Sequence, residues 1–180
     1  MKKIYLVLTR TGTRFSSMIQ KATGYEYTHA SIALDKELSQ LYSFGRKSMI
    51  LPFIAGFVRE DVNGGVFKKY SGTKCIIYEL DVSDKIYNNI RSLINKFESN
   101  KDDYRYNFLG LPFIFFNIPY KRDKHFLCSQ FVAYILQESG AVRLHKEFTI
   151  MKPKDLLNVP KSPPIYNGIL NEYVEYGQIY

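Results

Sequence analysis

Tryptophan is absent from this 180-residue chain, and cysteine occurs only 2 times. Two thiols cannot make a disulfide framework, so covalent stapling is not what holds the fold. Glycine and proline, at 11 and 7 residues, are ordinary in number, which excludes collagen-like and low-complexity classes. Long apolar runs are missing too. The N-terminus MKKIYLVLTR starts basic, but only Ile4 to Leu8 is apolar before Thr9 and Arg10. An export signal needs about 7–15 apolar residues and a small-residue cleavage site. Tyr106 to Tyr120 is free of charge but is interrupted by Pro112, Asn117 and Pro119. It is also shorter than the roughly 20 residues of a spanning helix. Together with the lone thiols, these absences lead to the expectation of a cytoplasmic protein.

Lysine and arginine outnumber acidic residues 25 to 17, for a formal net charge of +8. The excess is diffuse. It gathers at Lys2-Lys3, Lys68-Lys69, Lys121-Arg122-Asp123-Lys124 and Lys152-Pro153-Lys154. None of these approaches the roughly 5–8 consecutive basic residues of a nucleic-acid tail, so nucleic acid is not an expected partner. A solvated basic surface accounts for the charge. Attraction to an anionic substrate or a membrane surface is the sharper alternative.

What the chain has in quantity is tyrosine and phenylalanine, 15 and 13 residues, within a hydrophobic content of 46%. That content is too high for a disordered chain, and the length suits a single domain over residues 1–180. Tyrosine has an apolar body and a polar tip, so so many of them imply many half-buried positions. Ile4 to Leu8 predicts a strand that ends in a turn at Gly12. Phe15, Met18, Ile19 and Ala22 recur at helical spacing before Gly24, which predicts a helix over 14–22. Alternation from His29 to Leu34 predicts a strand, Asp35-Lys36-Glu37 a turn, and Leu41 to Phe44 a returning strand.

Residues 46–72 carry no clear period, because Pro52 and Gly56 break the apolar run Met49 to Val58. Lys74 to Leu80 predicts a strand, and Ser83 an N-cap for a helix over 84–98. Tyr106 to Asn117 reads as an apolar helix or an irregular segment. Leu127 to Ser139 predicts a helix closed by Gly140, and Lys152 to Leu157 a helical turn. The Tyr-rich end, Ile165 to Tyr180, predicts one or two edge strands. The mixture is α+β, an antiparallel sheet with segregated helices.

Cys128 opens the helix predicted over 127–139, on the same face as Phe131, Val132 and Ile135. The positive end of a helix and its free N–H groups favour a thiolate and can hold an oxyanion. A small buried hydrophobe is the plainer reading of any free cysteine, and it is the reading for Cys75, which sits mid-strand. A nucleophilic thiol needs a base. His29 opens an apolar strand and His125 lies three residues before Cys128, so both are open as that base on physical grounds. His145 stands among Arg143, Lys146 and Glu147 and reads as solvated. No close zinc-ligand spacing exists among these residues, so neither a metal nor another cofactor is expected.

The segment Gly24-Tyr25-Glu26-Tyr27-Thr28-His29-Ala30-Ser31-Ile32-Ala33-Leu34 resembles the histidine strand of permuted papain-like cysteine hydrolases. These are the YiiX-like and YycO-like relatives of the NlpC group, which also resemble lecithin:retinol acyltransferases. Phe126-Leu127-Cys128-Ser129-Gln130-Phe131-Val132 resembles their nucleophile helix. In unpermuted papain-like enzymes the cysteine helix comes first; here His29 precedes Cys128, the permuted order. Each motif is short, and their joint order and spacing carry the resemblance across residues 4–158.

The resemblance implies a permuted papain-like, NlpC-type fold with Cys128 as nucleophile and His29 as base. It also implies a polar group that orients the imidazole from the strand after the histidine strand. Ser43 is the short polar residue there, where many relatives have His, Glu, Asp or Asn. The oxyanion would rest on the Cys128 backbone N–H, with Tyr27 and Gln130 as further oxyanion or substrate candidates. Asp35 and Glu37 are nearby carboxylates in a turn context.

The expected chemistry is acyl transfer through an acyl-enzyme, on an amide, ester or thioester substrate such as a peptide or a lipid. Three functions compete. One is an amidase or peptidase. A second is a lipid acyl hydrolase or acyltransferase, for which the apolar stretch Phe108 to Ile118 and the basic clusters suit peripheral membrane contact. The third is a catalytically silent binding module, motivated by serine as a weak orienting group.

Overall fold

Alternation builds the sheet. The computed structural model describes residues 1–48 and 54–177. In it, strand β1 (Lys2–Arg10) sends Ile4, Leu6 and Leu8 into one buried cluster and Tyr5 and Val7 into another. A strand buried on both faces belongs inside a sheet. Accordingly β1 lies between β2 (His29–Ala33) and β5 (Lys74–Val82), antiparallel to both. Beyond β2 come β3 (Leu41–Arg46) and β4 (Ala55–Glu60); beyond β5 comes β8 (Tyr166–Ile169). The order is β4-β3-β2-β1-β5-β8, and every neighbouring pair is antiparallel.

Helices cover both faces. On the first lie α3 (Asp84–Ser99) and α5 (Cys128–Glu138). The Ser83 hydroxyl starts α3 by accepting the Ile86 N–H. Ile90, Ile94 and Phe97 of α3 meet Phe131, Val132 and Ile135 of α5 over Leu6, Leu8 and Phe44 of the sheet. Phe44 is the hub of an aromatic cluster, its ring centroid 5.3–6.3 Å from those of Phe57, Phe97, Tyr104, Phe126 and Phe131. Much of the aromatic excess is therefore core. On the second face, Phe67 of α2 (Gly65–Lys69) and Leu170 of α7 (Leu170–Gly177) pack on Tyr5, Val7, Cys75 and Ile77. The architecture is α+β, an antiparallel sheet packed against helices.

Helix α1 (Arg14–Thr23) begins where the Thr13 hydroxyl accepts the Ser16 N–H, and it ends at Gly24, whose φ is 69°. The aperiodic stretch 46–72 holds β4 and α2, while Met49 to Phe53 lies outside the described residues. Tyr106 to Asn117 divides between β6 (Arg105–Tyr106) and the short α4 (Gly110–Phe115). Two-residue β7 (His125–Phe126) pairs with β6 in parallel. The predicted turn after Lys152 is α6 (Pro153–Leu156), with Pro153 in its first turn. Of the one or two edge strands expected over Ile165–Tyr180, the described residues hold one, β8 at the edge of the sheet, and Leu170 opens a helix in place of a second. Leu170 and Tyr173, three apart, both face the second cluster, a helical spacing that a tyrosine-rich composition conceals.

Candidate active site

Three contacts fix the start of α5. Leu127 is extended, with φ −84° and ψ 162°, and its N–H is accepted by Gln130 Oε1 at 2.9 Å. Gln130 Nε2 donates to the Thr149 carbonyl at 2.6 Å, and Ser129 Oγ to that of Met151 at 2.7 Å. The helix packs across β2 and β3, and its first residue, Cys128, meets the first residue of β2, His29. The thiol and the imidazole are hydrogen-bonded.

His29 is held from its other side. Its Nε2 lies 2.8 Å from Glu60 Oε1, and the two side chains are only 19% and 12% exposed. Because Nε2 is engaged, Nδ1 is the ring nitrogen left for Cys128. The second Glu60 oxygen accepts the Ser31 hydroxyl at 2.5 Å. Glu60 ends β4, and β3 lies between it and β2. Its side chain crosses β3 at Gly45, where an added Cβ would stand 3.6 Å from Glu60 Oε1 and 3.8 Å from His29 Cε1.

The electrostatics follow from this row. Burial opposes the charged imidazole, but the Glu60 carboxylate and the Cys128 sulfur outweigh it and raise His29 well above its ordinary value. Burial likewise opposes a thiolate at Cys128, which is 5% exposed. The charge and hydrogen bond of His29, with backbone hydrogen bonds from Ala30 and Ser129, reverse that and lower it. Both shifts act toward a thiolate–imidazolium pair backed by a carboxylate. Cys75 is the contrast: burial outweighs its one backbone hydrogen bond, at Gly168, and pushes its thiol up to about 12.

A fourth group was not anticipated. Tyr106 pairs with Phe126 in the ladder of β6 and β7, and the Asn107 N–H donates to the Phe126 carbonyl at 3.0 Å. That ladder lays Tyr106 beside the segment leading into α5, and its hydroxyl is hydrogen-bonded to Cys128. Burial, and then the nearby sulfur, raise the phenol well above its ordinary value, so it stays protonated and donates.

Of the residues expected from sequence, Cys128 and His29 come together. Ser43 does not orient the ring. Its buried hydroxyl donates to the Ala30 carbonyl at 2.7 Å, and Glu60 holds the position on the imidazole. A serine side chain reaches only the neighbouring strand's backbone, whereas glutamate spans β3. Tyr27 is buried away from the thiol and donates to Asn167 Oδ1 at 3.1 Å. Gln130 has both ends of its amide engaged, the oxygen capping α5 at Leu127 and the nitrogen on the Thr149 carbonyl. His125 Nδ1 pairs with the Asp123 carbonyl at 2.7 Å, and His145 is exposed. Asp35 accepts the Ser39 and Gln40 N–H groups at 2.8 and 2.7 Å, as a turn carboxylate does.

A cavity of about 1200 Å³ has His29, Glu60 and Tyr106 in its wall, with Met18, Phe67 and Phe108 among its apolar lining. Among the described residues, no group of three or more His, Cys, Asp or Glu side chains is arranged to hold a metal ion. Comparison with known proteins found no match to this chain among family models, curated proteins or solved structures.

Proposed function

We propose that this chain is a cysteine hydrolase of the amidase or peptidase type, on a permuted papain-like arrangement. The observation that carries the reading is the row Cys128–His29–Glu60, with the thiol at the first residue of a helix. The chain order, His29 and Glu60 before Cys128, agrees with the permuted arrangement. A carboxylate on the imidazole also removes the motive for a silent module, which rested on serine as the orienting group.

The chemistry follows from the groups. His29 holds the proton taken from Cys128. The thiolate attacks the carbonyl carbon of the substrate, and the carbonyl π electrons move to oxygen. The Cys128 backbone N–H and the Tyr106 hydroxyl stabilise that oxyanion. Collapse expels the amine, alcohol or thiol, which takes its proton from His29. Water then gives a proton to His29 and attacks the acyl-enzyme, releasing the acid and restoring the thiol. Glu60 stabilises the imidazolium throughout and sets its orientation.

The test is to treat the protein with activated amide, ester and thioester acyl probes and map adducts by mass spectrometry. An acyl mass on Cys128, lost in Cys128→Ser and diminished in His29→Ala, is expected. No adduct on Cys128 from any of the three probes removes the proposal. A lipid acyl ester is the second reading, favoured by the exposed apolar side chains that follow Tyr106. Faster turnover of a phospholipid ester than of any peptide amide would select it.

A further inference from the structure

The segment joining Tyr106 to the nucleophile helix turns apolar side chains outward. Leu109 is 59% exposed, Phe115 41%, Phe116 77% and Ile118 49%. The helix α4 is too short to bury the apolar run Phe108 to Ile118. It sends only Gly110 and Ile114 inward. Leu109 and Phe116 are seven apart, so they project from one side of the turn. The knuckle is well built. The Asn117 and Ile118 N–H groups donate to the Ile114 and Phe113 carbonyls, and the Tyr120 ring stacks on Phe113 at 4.3 Å. Isolated exposed hydrophobes need no explanation, but four large ones on a rigid knuckle mark an interaction surface.

Charge identifies the occupant. Lys152 Nζ donates to the Phe115 carbonyl at 3.4 Å, which puts an ammonium on the patch itself. Lys121 and Arg122 follow directly after Tyr120. Among the described residues, none of these three cations has a carboxylate partner, whereas neighbouring Lys124 is paired with Asp103 at 2.8 Å. Apolar side chains with a cation on the patch and two more next in the chain match the boundary between acyl chains and anionic headgroups. No described helix is long and apolar enough to cross a membrane, so contact would be at the surface. We propose that the 109–122 knuckle docks on an anionic lipid bilayer, with Leu109 and Phe116 entering the acyl boundary and Lys121, Arg122 and Lys152 meeting the headgroups. The knuckle is continuous with Phe108 and Tyr106 of the cavity wall, so docking sets the cavity beside the lipid surface.

Sedimentation with vesicles tests this whether or not the thiol is catalytic. Vesicles of equimolar phosphatidylcholine and phosphatidylglycerol should carry the full chain down at low salt, less so as salt rises. Pure phosphatidylcholine should bind it weakly. The double variant Leu109→Ser, Phe116→Ser should bind about tenfold more weakly or worse, because it removes two anchoring side chains. Lys121→Glu with Arg122→Glu should lose the preference for anionic vesicles. Leu109, Phe116 and Lys121 are exposed and Arg122 is half-buried, and an unchanged thermal melt shows that the variants are folded. Wild-type protein left in the supernatant at low salt overturns the proposal. So does undiminished binding of the Leu109→Ser, Phe116→Ser protein. A concentration-dependent dimer that this variant abolishes, without vesicle binding, would assign the patch to self-association instead.

Discussion

His29 and Glu60 come from strands that are not neighbours, yet imidazole Nε2 and carboxylate Oε1 lie 2.8 Å apart over the bare backbone of Gly45. The carboxylate favours the imidazolium, and the imidazolium favours the Cys128 thiolate. The sign of the pH dependence follows. Cys128 is lowered, so its thiolate forms below the pH of an ordinary thiol. His29 is raised, so its proton persists well above pH 6.5. Both shifts widen the pH window in which an ion pair can exist.

Glu60→Gln removes the anion while keeping the shape of the side chain. His29 then falls, Cys128 rises, and the window narrows from both ends. In carboxamidomethylation of Cys128 across pH, the acid limb should move to higher pH, and the rate at neutral pH should drop roughly tenfold or more. An acid limb that stays in place would mean that Glu60 does not support the thiolate.

The two cysteines offer an internal comparison. Cys128 has a cation and N–H donors on its sulfur, while Cys75 is a core residue pushed up to about 12. Small alkylating reagents at neutral pH should therefore modify Cys128 first, by at least about tenfold in rate. Peptide mapping after a short exposure to iodoacetamide reads this directly. Equal labelling, or labelling led by Cys75, would dismiss Cys128 as an activated nucleophile.

How much of this was legible in sequence depended on whether a group's role was local. Cys128 and His29 stood out because a helix start and an alternating strand carry short-range periods, but only the resemblance in motif order set His29 ahead of His125 as the base. Glu60 was not. It lies in the charged triplet Arg59-Glu60-Asp61, which reads as solvent-facing, at the end of a run broken by Pro52 and Gly56. Only the order of β2, β3 and β4 brings it to the ring. Ser43 stands in the strand between them, but its hydroxyl is short enough to stop at the Ala30 carbonyl. Tyr106 was hidden for another reason. A two-residue parallel ladder with β7 has no period, and nothing in the spacing of Tyr106 and Phe126 announces that they pair.

Tyr106→Phe removes one hydroxyl and leaves the ring that packs on Phe108 at 4.8 Å. If the phenol steadies the oxyanion, kcat on an ester or amide probe should fall by about 10²–10³, with KM little changed. Alkylation of the thiolate forms no oxyanion and should be far less affected. A parallel loss in both reactions would point instead to a role in holding the sulfur.

Phe44→Ala tests the aromatic core. Five rings surround that side chain, so its loss leaves a gap at the centre of the cluster. The expected loss is about 3–5 kcal/mol in chemical denaturation. A loss under about 1 kcal/mol would mean that the cluster collapses around the gap.

Gly45 separates space from chemistry. A Cβ there would meet Val58 Cγ2 at 3.5 Å, Glu60 Oε1 at 3.6 Å and His29 Cε1 at 3.8 Å, all ordinary contacts. Gly45→Ala should therefore fold and keep the thiolate. Gly45→Leu extends the side chain from the same point into the line between His29 and Glu60. It should part the pair and reproduce the Glu60→Gln acid limb without removing any charged group. Combining Gly45→Leu with Glu60→Gln should then add little to either alone, because both act on one interaction. Additive effects would mean that leucine acts by another route, such as distortion of β3, and the crossing at Gly45 would lose its part in the mechanism.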